Sequence, residues 1–429
     1  MVNLIKDIKA YEILDSRGNP TVAAEVILDN DIKAMSFVPS GASTGKYEAN
    51  EKRDHDNNRY QGKGVLKAVD SINKVIKDLL VNQDAEDISK IDSLMCKEDN
   101  TSDKSNLGAN AILAVSMACT KVSAKNLRIP LHHFIAKKAE DSGMSINQSL
   151  PVPMMNILNG GAHADNPINF QEFMVQPIGF NTFSRALQCG VEIFHTLKGI
   201  LKDNNMSTSV GDEGGFAPKL NSPEEALDLI IEAIEKSGYK PEDEVNLCLD
   251  VAATEFFNGN FYDVSGMNKK FSSEELINYL TSLRAKYPIS SIEDGLDEDD
   301  WLGWSNLVTS IGSNTQLVGD DLFVTNASRI KKGIELNSAN AVLVKLNQIG
   351  TITETLDAIK ISRDNNLNTV ISHRSGETED SFIADLAVGI GSGQIKTGAP
   401  SRSDRVSKYN RLLVIEQNSD ISFTGNHGF

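Results

Sequence analysis

Six apolar runs in the second half of the chain each finish in or lead into an ionisable residue, and this rhythm restricts the fold more than any other feature. NLCLD closes on Asp250, PISSIED reaches Glu293, TQLVGDD reaches Asp320, AVLVKLNQIG holds Lys345, TVISHRSG leads into His373 and GQIKTGAP holds Lys396. After a first interval of 43 residues the spacings are 27, 25, 28 and 23, the length of one strand, one helix and two loops. That is the grammar of a β/α (TIM-like) barrel, whose strands converge with their C-terminal ends on one mouth. Packing alone does not call for a charge at the end of every strand.

The intervening helices carry start signals. SPEEALDLIIEAIEKSG (222 to 238) opens with Ser222 and Glu225 at capping-box spacing, places Pro223 in its first turn and aligns Ala226, Leu229, Ile230, Ala233 and Ile234 on one face. Ser272 with Glu275 and Thr351 with Glu354 repeat the device. The first part of the chain reads differently. Residues 4 to 38 alternate with turns at DSRGNP and DND, predicting a short antiparallel meander, and helical stretches follow at 65 to 80, 107 to 124 and 130 to 139. Strands and then helices, without alternation, define an α+β domain. The polar stretch EDSGMSINQS (140 to 149) suits a linker, giving an N-terminal α+β domain over 1–138 and a C-terminal barrel over 139–429.

A chain of 429 residues can bury two cores, and its net charge of −17 repels nucleic acid and anionic lipid, so no direct nucleic-acid partner is expected. An anionic substrate needs a local cluster of cations or bound metal. Cys96, Cys119, Cys189 and Cys248 are scattered like buried thiols of a reducing compartment, and the N-terminus lacks the apolar stretch of a signal peptide. The apolar segment at 107 to 124 is interrupted by Asn110, Ser116 and Thr120, as in a buried helix rather than a membrane span. The expectation is a cytoplasmic protein.

Asp250, Glu293 and Asp320 end adjacent strands, so the barrel brings three carboxylates together, where they raise one another's pKa unless a hard cation intervenes. Three oxygens with room for water and substrate suit Mg²⁺. A helix cap or surface ion pair is the commoner fate of any one of them, though not of all three in register. Lys345 and Lys396 stand at the same mouth, where a lysine beside metal and another ammonium can become a neutral base; an isolated inward lysine more often forms a salt bridge. Arg374 and Ser375, in SHRSGETED, offer a guanidinium and a hydroxyl at a strand-to-helix loop, fit for phosphate or carboxylate, or for plain capping.

PSGASTGKYEA (39 to 49) fails as a P-loop, because Gly41 and Gly45 enclose three residues and Tyr47 follows Lys46. Residues 39–48 read better as a loop able to close over a site, or as an inert surface loop. His163 sits among glycines in NGGAHADNP and could touch ligand, whereas His132, His133 and His195 lie in helical text. VGDEGGFAP (210 to 218) sets Asp212 and Glu213 between glycines, which alone says turn.

SRGNPTV, PSGASTG, MNILNGGAHADN, QEFM, VGDEGGFAP, SIEDGLDE, LVGDDLFVTN, KLNQIG, SHRSGETED, QIKTG and SRSDR occur in this order across nearly the whole chain, which in this closely resembles the enolase family in its bacterial form. The resemblance implies an α+β domain joined to a barrel with irregular first strands, and glycolytic, reversible dehydration of 2-phosphoglycerate to phosphoenolpyruvate. It implies two Mg²⁺ per site: Asp250, Glu293 and Asp320 for the first, and Ser43 for a second that arrives with substrate. It makes Lys345 the base and Glu213 the acid, pairs Lys396 with the substrate carboxylate and Arg374 and Ser375 with its phosphate, and lines the pocket with His163, Gln171 and Glu172. An acid at neutral pH needs a raised pKa, which burial and Glu172 would give Glu213, leaving Asp212 to hold the turn. A homodimer or larger homo-oligomer is the implied assembly. Ala162 before His163 departs from the family pattern, and so does the ending TGNHGF, which lacks the terminal lysine linked to plasminogen capture and so weakens a surface role. Another lyase or racemase of the superfamily would share the carboxylates but differ at DEGG and SHRS.

Overall fold

The computed structural model describes residues 4–41, 45–164 and 166–425. Strands β1 (Ile5–Leu14), β2 (Pro20–Leu28) and β3 (Lys33–Phe37) form an antiparallel sheet in that order. At the first reversal Asp15 Oδ1 accepts from the backbone N–H groups of Arg17 and Asn19 at 2.9 and 2.8 Å. Gly18 there adopts φ 76°, which a residue without Cβ takes at little cost. The helix Ala109–Leu127 covers β2 and β3. Its polar interruptions are satisfied inside the protein: Thr120 donates to the Ser116 carbonyl, and Ser116 Oγ accepts from the backbone of Ile352 at 3.1 Å. No helix among the described residues is long and apolar enough to cross a membrane.

Eight strands then close a barrel. In chain order they are β4 (Val152–Asn159), β5 (Glu172–Pro177), β6 (Val245–Asp250), then, after a hairpin of β7 (Tyr262–Val264) and β8 (Lys269–Phe271), β9 (Ile289–Glu293), β10 (Gln316–Gly319), β11 (Ala341–Val344), β12 (Asn368–Ser372) and β13 (Gly393–Lys396). The hairpin accounts for the long first interval. β5 runs antiparallel to both β4 and β6, and every other neighbouring pair is parallel. Between β4 and β5 the described residues hold only one 3₁₀ turn, Gly161–His163, and β5 returns down the barrel. Two successive helices, Phe183–Asp203 and Pro223–Lys236, then bring the chain back, and the segment between them passes over the mouth.

Ser222, Ser272 and Thr351 each cap a helix by accepting from the backbone three residues on. Only Ser272 and Glu275 complete the reciprocal box. Glu225 is diverted to the backbone and side chain of Asn221, and Glu354 to Thr351 Oγ1 and Lys104. Inside the barrel, Met154, Met174, Cys248, Val318, Ala341, Leu343 and Val370 form a small apolar layer. On its floor side Gln316 and Gln394 exchange amide hydrogen bonds at 2.9 and 2.8 Å, with Gln176 and Asn368 joined to them. Three of the four cysteines are buried and all four are free thiols, while Cys96 is half-buried.

Candidate active site

Charge gathers on the other side of that apolar layer. Asp250 and Glu293 are adjacent in register at the ends of β6 and β9, and Lys396 ends β13. Because β5 is reversed, Glu172 at its start lies beside Asp250, which brings a strand beginning to the mouth. The Lys396 ammonium sits among these acids, 2.8 Å from both oxygens of Glu293 and 3.1 Å from Asp250 Oδ2 and Glu172 Oε1. Burial opposes its charge, but Asp250, Glu172 and Glu293 hold its pKa well above the usual lysine value. Gln171 Nε2 donates to Asp250 Oδ2 at 3.2 Å.

On the neighbouring strands Lys345 Nζ donates to Asp320 Oδ2. Burial lowers the Lys345 pKa, but Asp320 more than offsets that and raises it, so the neutral amine expected of Lys345 beside metal requires another cation to engage Asp320. Gln348 Nε2 donates to Asp320 Oδ1 at 2.8 Å. Arg374 is buried, and Glu48 from the loop at 39–48 meets it at 2.9 Å. Ser375 is buried beside it. Ser43 lies outside the described residues.

VGDEGGFAP is a built turn over this mouth. A Cβ on Gly215 would stand 2.4 Å from Asn159 Oδ1, and one on Gly211 2.5 Å from the His163 carbonyl, so the loop packs too closely there for side chains. Gly214 takes φ 86°. Asp212 gives its backbone to the turn, donating to the His163 carbonyl at 3.4 Å and accepting from Arg405 at 3.2 Å. Glu213 is pointed inward, where Asn156 Nδ2 donates to its Oε2 at 3.1 Å. Arg405 donates to His373 Nδ1, which leaves the ring proton on Nε2, 3.3 Å from Glu213 Oε2. Burial pushes His373 down to about 3, so the neutral ring is the one present at ordinary pH.

His163 Nδ1 lies 3.6 Å from Glu213 and 3.7 Å from Glu172. These two acids form a coupled pair whose members separate. Burial and then Glu213 push Glu172 well above the usual carboxylate range. For Glu213 burial acts upward as well, but the imidazoles of His373 and His163, with Arg405, hold it well below that range. The expectation of a raised pKa at Glu213 is thus corrected: the groups around Glu213 favour its anion, and Glu172 is the member pushed toward its protonated form.

One cavity is lined by His163, Gln171, Glu172, Glu213, Lys345, Arg374, Ser375 and Lys396, together with Ser372 and His373. Asp250 and Glu293 pair with Lys396 of this lining and Asp320 with Lys345, so two ammoniums stand among the trio, which is more open than two tighter groups. Those are Asp294 with Asp320 and Asp321, and His163 with Glu172 and Glu213, whose ligand atoms lie within 4.8 Å of one another. Asp294 is occupied as an acceptor for the backbone N–H groups of Asp320 and Asp321, both at 2.9 Å. Asp250, Glu293 and Asp320 offer only oxygen, the chemistry a hard cation takes, and beside them Gln171 Oε1 and Glu172 Oε2 are buried without a hydrogen-bond partner among the described residues.

Sequence reading passed over Glu48, Gln348, Asn156 and Arg405. Arg405 closes the SRSDR segment and Gln348 lies within KLNQIG, so both stood inside recognisable text. Their roles depend on partners in distant segments, which spacing does not display.

A closed barrel with acids and ammoniums at its mouth, joined to an α+β domain, has the frame of a two-domain barrel enzyme. Residues 5–135 match the family model for the enolase N-terminal domain, and residues 147–428 match that for the enolase C-terminal TIM barrel domain. The chain belongs to the enolase family.

Proposed function

We propose that this chain catalyses the reversible, Mg²⁺-dependent dehydration of 2-phosphoglycerate to phosphoenolpyruvate. The observation that carries the reading is one cavity in which a lysine, a pair of carboxyls and two cationic anchors converge. Lys396 pairs with the substrate carboxylate, and Arg374 with Ser375 takes the phosphate. Lys345 removes the proton on the carbon beside the carboxylate, a proton made weakly acidic because its loss leaves two negative charges on one acid group. Glu213 passes a proton to the departing hydroxyl, and Glu172, with the raised pKa, stores that proton beside it. Burial of these groups shields the transfer from bulk water.

Asp250, Glu293 and Asp320 would hold one Mg²⁺, and Ser43 would serve a second. Bound Mg²⁺ supplies Lewis-acid charge to the substrate carboxylate as its second negative charge develops, an established pattern in the enolase superfamily alongside a lysine base. The test is the appearance of phosphoenolpyruvate absorbance from 2-phosphoglycerate. Product is expected with Mg²⁺ and none after chelation, and folded protein that yields no product at saturating Mg²⁺ overturns the reading.

A further inference from the structure

Arg374, the guanidinium assigned above to the substrate phosphate, already grips a carboxylate of its own chain. Glu48 meets it along the fork, accepting from Nη1 at 2.9 Å and from Nη2 at 3.2 Å. Both side chains are buried, with 3% and 8% of their surface exposed. Glu48 Oε1 also accepts from the backbone of Gly45 at 3.0 Å and from Gln348 Nε2 at 3.3 Å. Gln348 is fixed in turn by Asp320 at 2.8 Å and by Thr325, whose hydroxyl donates to its Oε1 at 3.0 Å. Two oxygens laid on two guanidinium nitrogens is the arrangement that a phosphate also presents to arginine.

We infer that Glu48 is an internal competitor for the phosphate subsite, setting how tightly a phosphorylated acid binds. The inference rests on the reading of Arg374 as the phosphate ligand. An incoming phosphate exchanges one buried ion pair for another, so its affinity is the difference between two pairs rather than the whole of one. A ligand bearing only a second carboxylate gains little over Glu48, whereas a phosphate dianion brings more charge and a third oxygen. Glu48 thereby makes the subsite selective for phosphate over carboxylate. Gln348 places the displaced carboxylate next to Asp320, so Glu48 is a positioning residue rather than one that touches the reacting atoms.

Calorimetric titration with inorganic phosphate, and steady-state kinetics with 2-phosphoglycerate, on the full chain and on Glu48→Gln, Glu48→Ala and Arg374→Gln test this. Glu48→Gln keeps the side-chain volume and reads the charge alone, while Glu48→Ala provides a second substitution at the site. Both Glu48 variants are expected to bind phosphate about tenfold more tightly and to lower KM by a similar factor, the scale of one charge-assisted contact. A purely structural role would lower kcat and leave KM unchanged or raised. Arg374→Gln is expected to lose phosphate binding. Unchanged or weaker phosphate binding in both Glu48 variants, with binding lost in Arg374→Gln, overturns the competitor and leaves the phosphate assignment standing. Wild-type phosphate affinity in Arg374→Gln instead overturns that assignment and the inference with it.

Discussion

The two ends of the barrel are built from the same strands and obey opposite rules. At the floor, Gln176, Gln316, Gln394 and Asn368 form a neutral amide network with reciprocal bonds. At the mouth, Lys396 is shared among three carboxylates, and Asn159, His163, Gln171 and Glu172 each carry a buried polar atom without a hydrogen-bond partner among the described residues. A satisfied network holds a fold together, whereas buried groups left wanting partners are expensive and mark where a ligand supplies them. The floor is an account of stability and the mouth one of chemistry.

Substitutions should separate the two. The largest effect is expected at the mouth: Lys345→Ala should cut turnover by at least about 10²–10⁴-fold, the reach of a positioned acid–base group, with little loss of stability. Steady-state kinetics beside a urea unfolding curve would read both. At the floor, Gln316→Ala should behave conversely. It strands the Gln394 amide and should cost about 1–3 kcal/mol in unfolding free energy while the Mg²⁺ dependence of activity stays as it is. Equal damage to activity and stability in both variants would erase the distinction.

The smallest effect concerns the seam between the α+β domain and the barrel. Asp92 is buried there, accepting from the backbone and hydroxyl of Thr353 at 2.9 and 2.7 Å, and burial pushes its carboxyl up to about 6. Its folded pKa lies above the ordinary 3.8, so folding takes up a proton between the two values. Its contribution is therefore fullest below pH 3.8 and is lost as pH rises through about 6. Asp92→Asn should gain about 1–3 kcal/mol relative to wild type above that window and nothing below it. A difference between the two proteins that does not vary with pH would contradict this.

Much of the fold was legible because its signals are local. Caps at Ser222, Ser272 and Thr351 and the ionisable strand ends needed no knowledge of tertiary contacts. Apolar runs do not reveal strand direction, so the reversal of β5 was not readable from them, although that reversal brings Glu172 to the mouth. The protonation pattern was also hidden. Sequence text shows that Glu213 is flanked by glycines but not that Asn156, His373 and Arg405 surround it, and those donors reverse the direction that burial alone would give. Likewise Glu48 and Arg374 are 326 positions apart, and only the folded chain joins them.

The claim that the mouth divides proton removal from hydroxyl departure can be tested most directly by following exchange of the substrate's carbon-bound proton with solvent. Measured in heavy water with Mg²⁺ and 2-phosphoglycerate, Glu213→Gln should retain exchange while making no phosphoenolpyruvate, and Lys345→Ala should lose both. Loss of exchange in Glu213→Gln, or its survival in Lys345→Ala, would contradict the assignment.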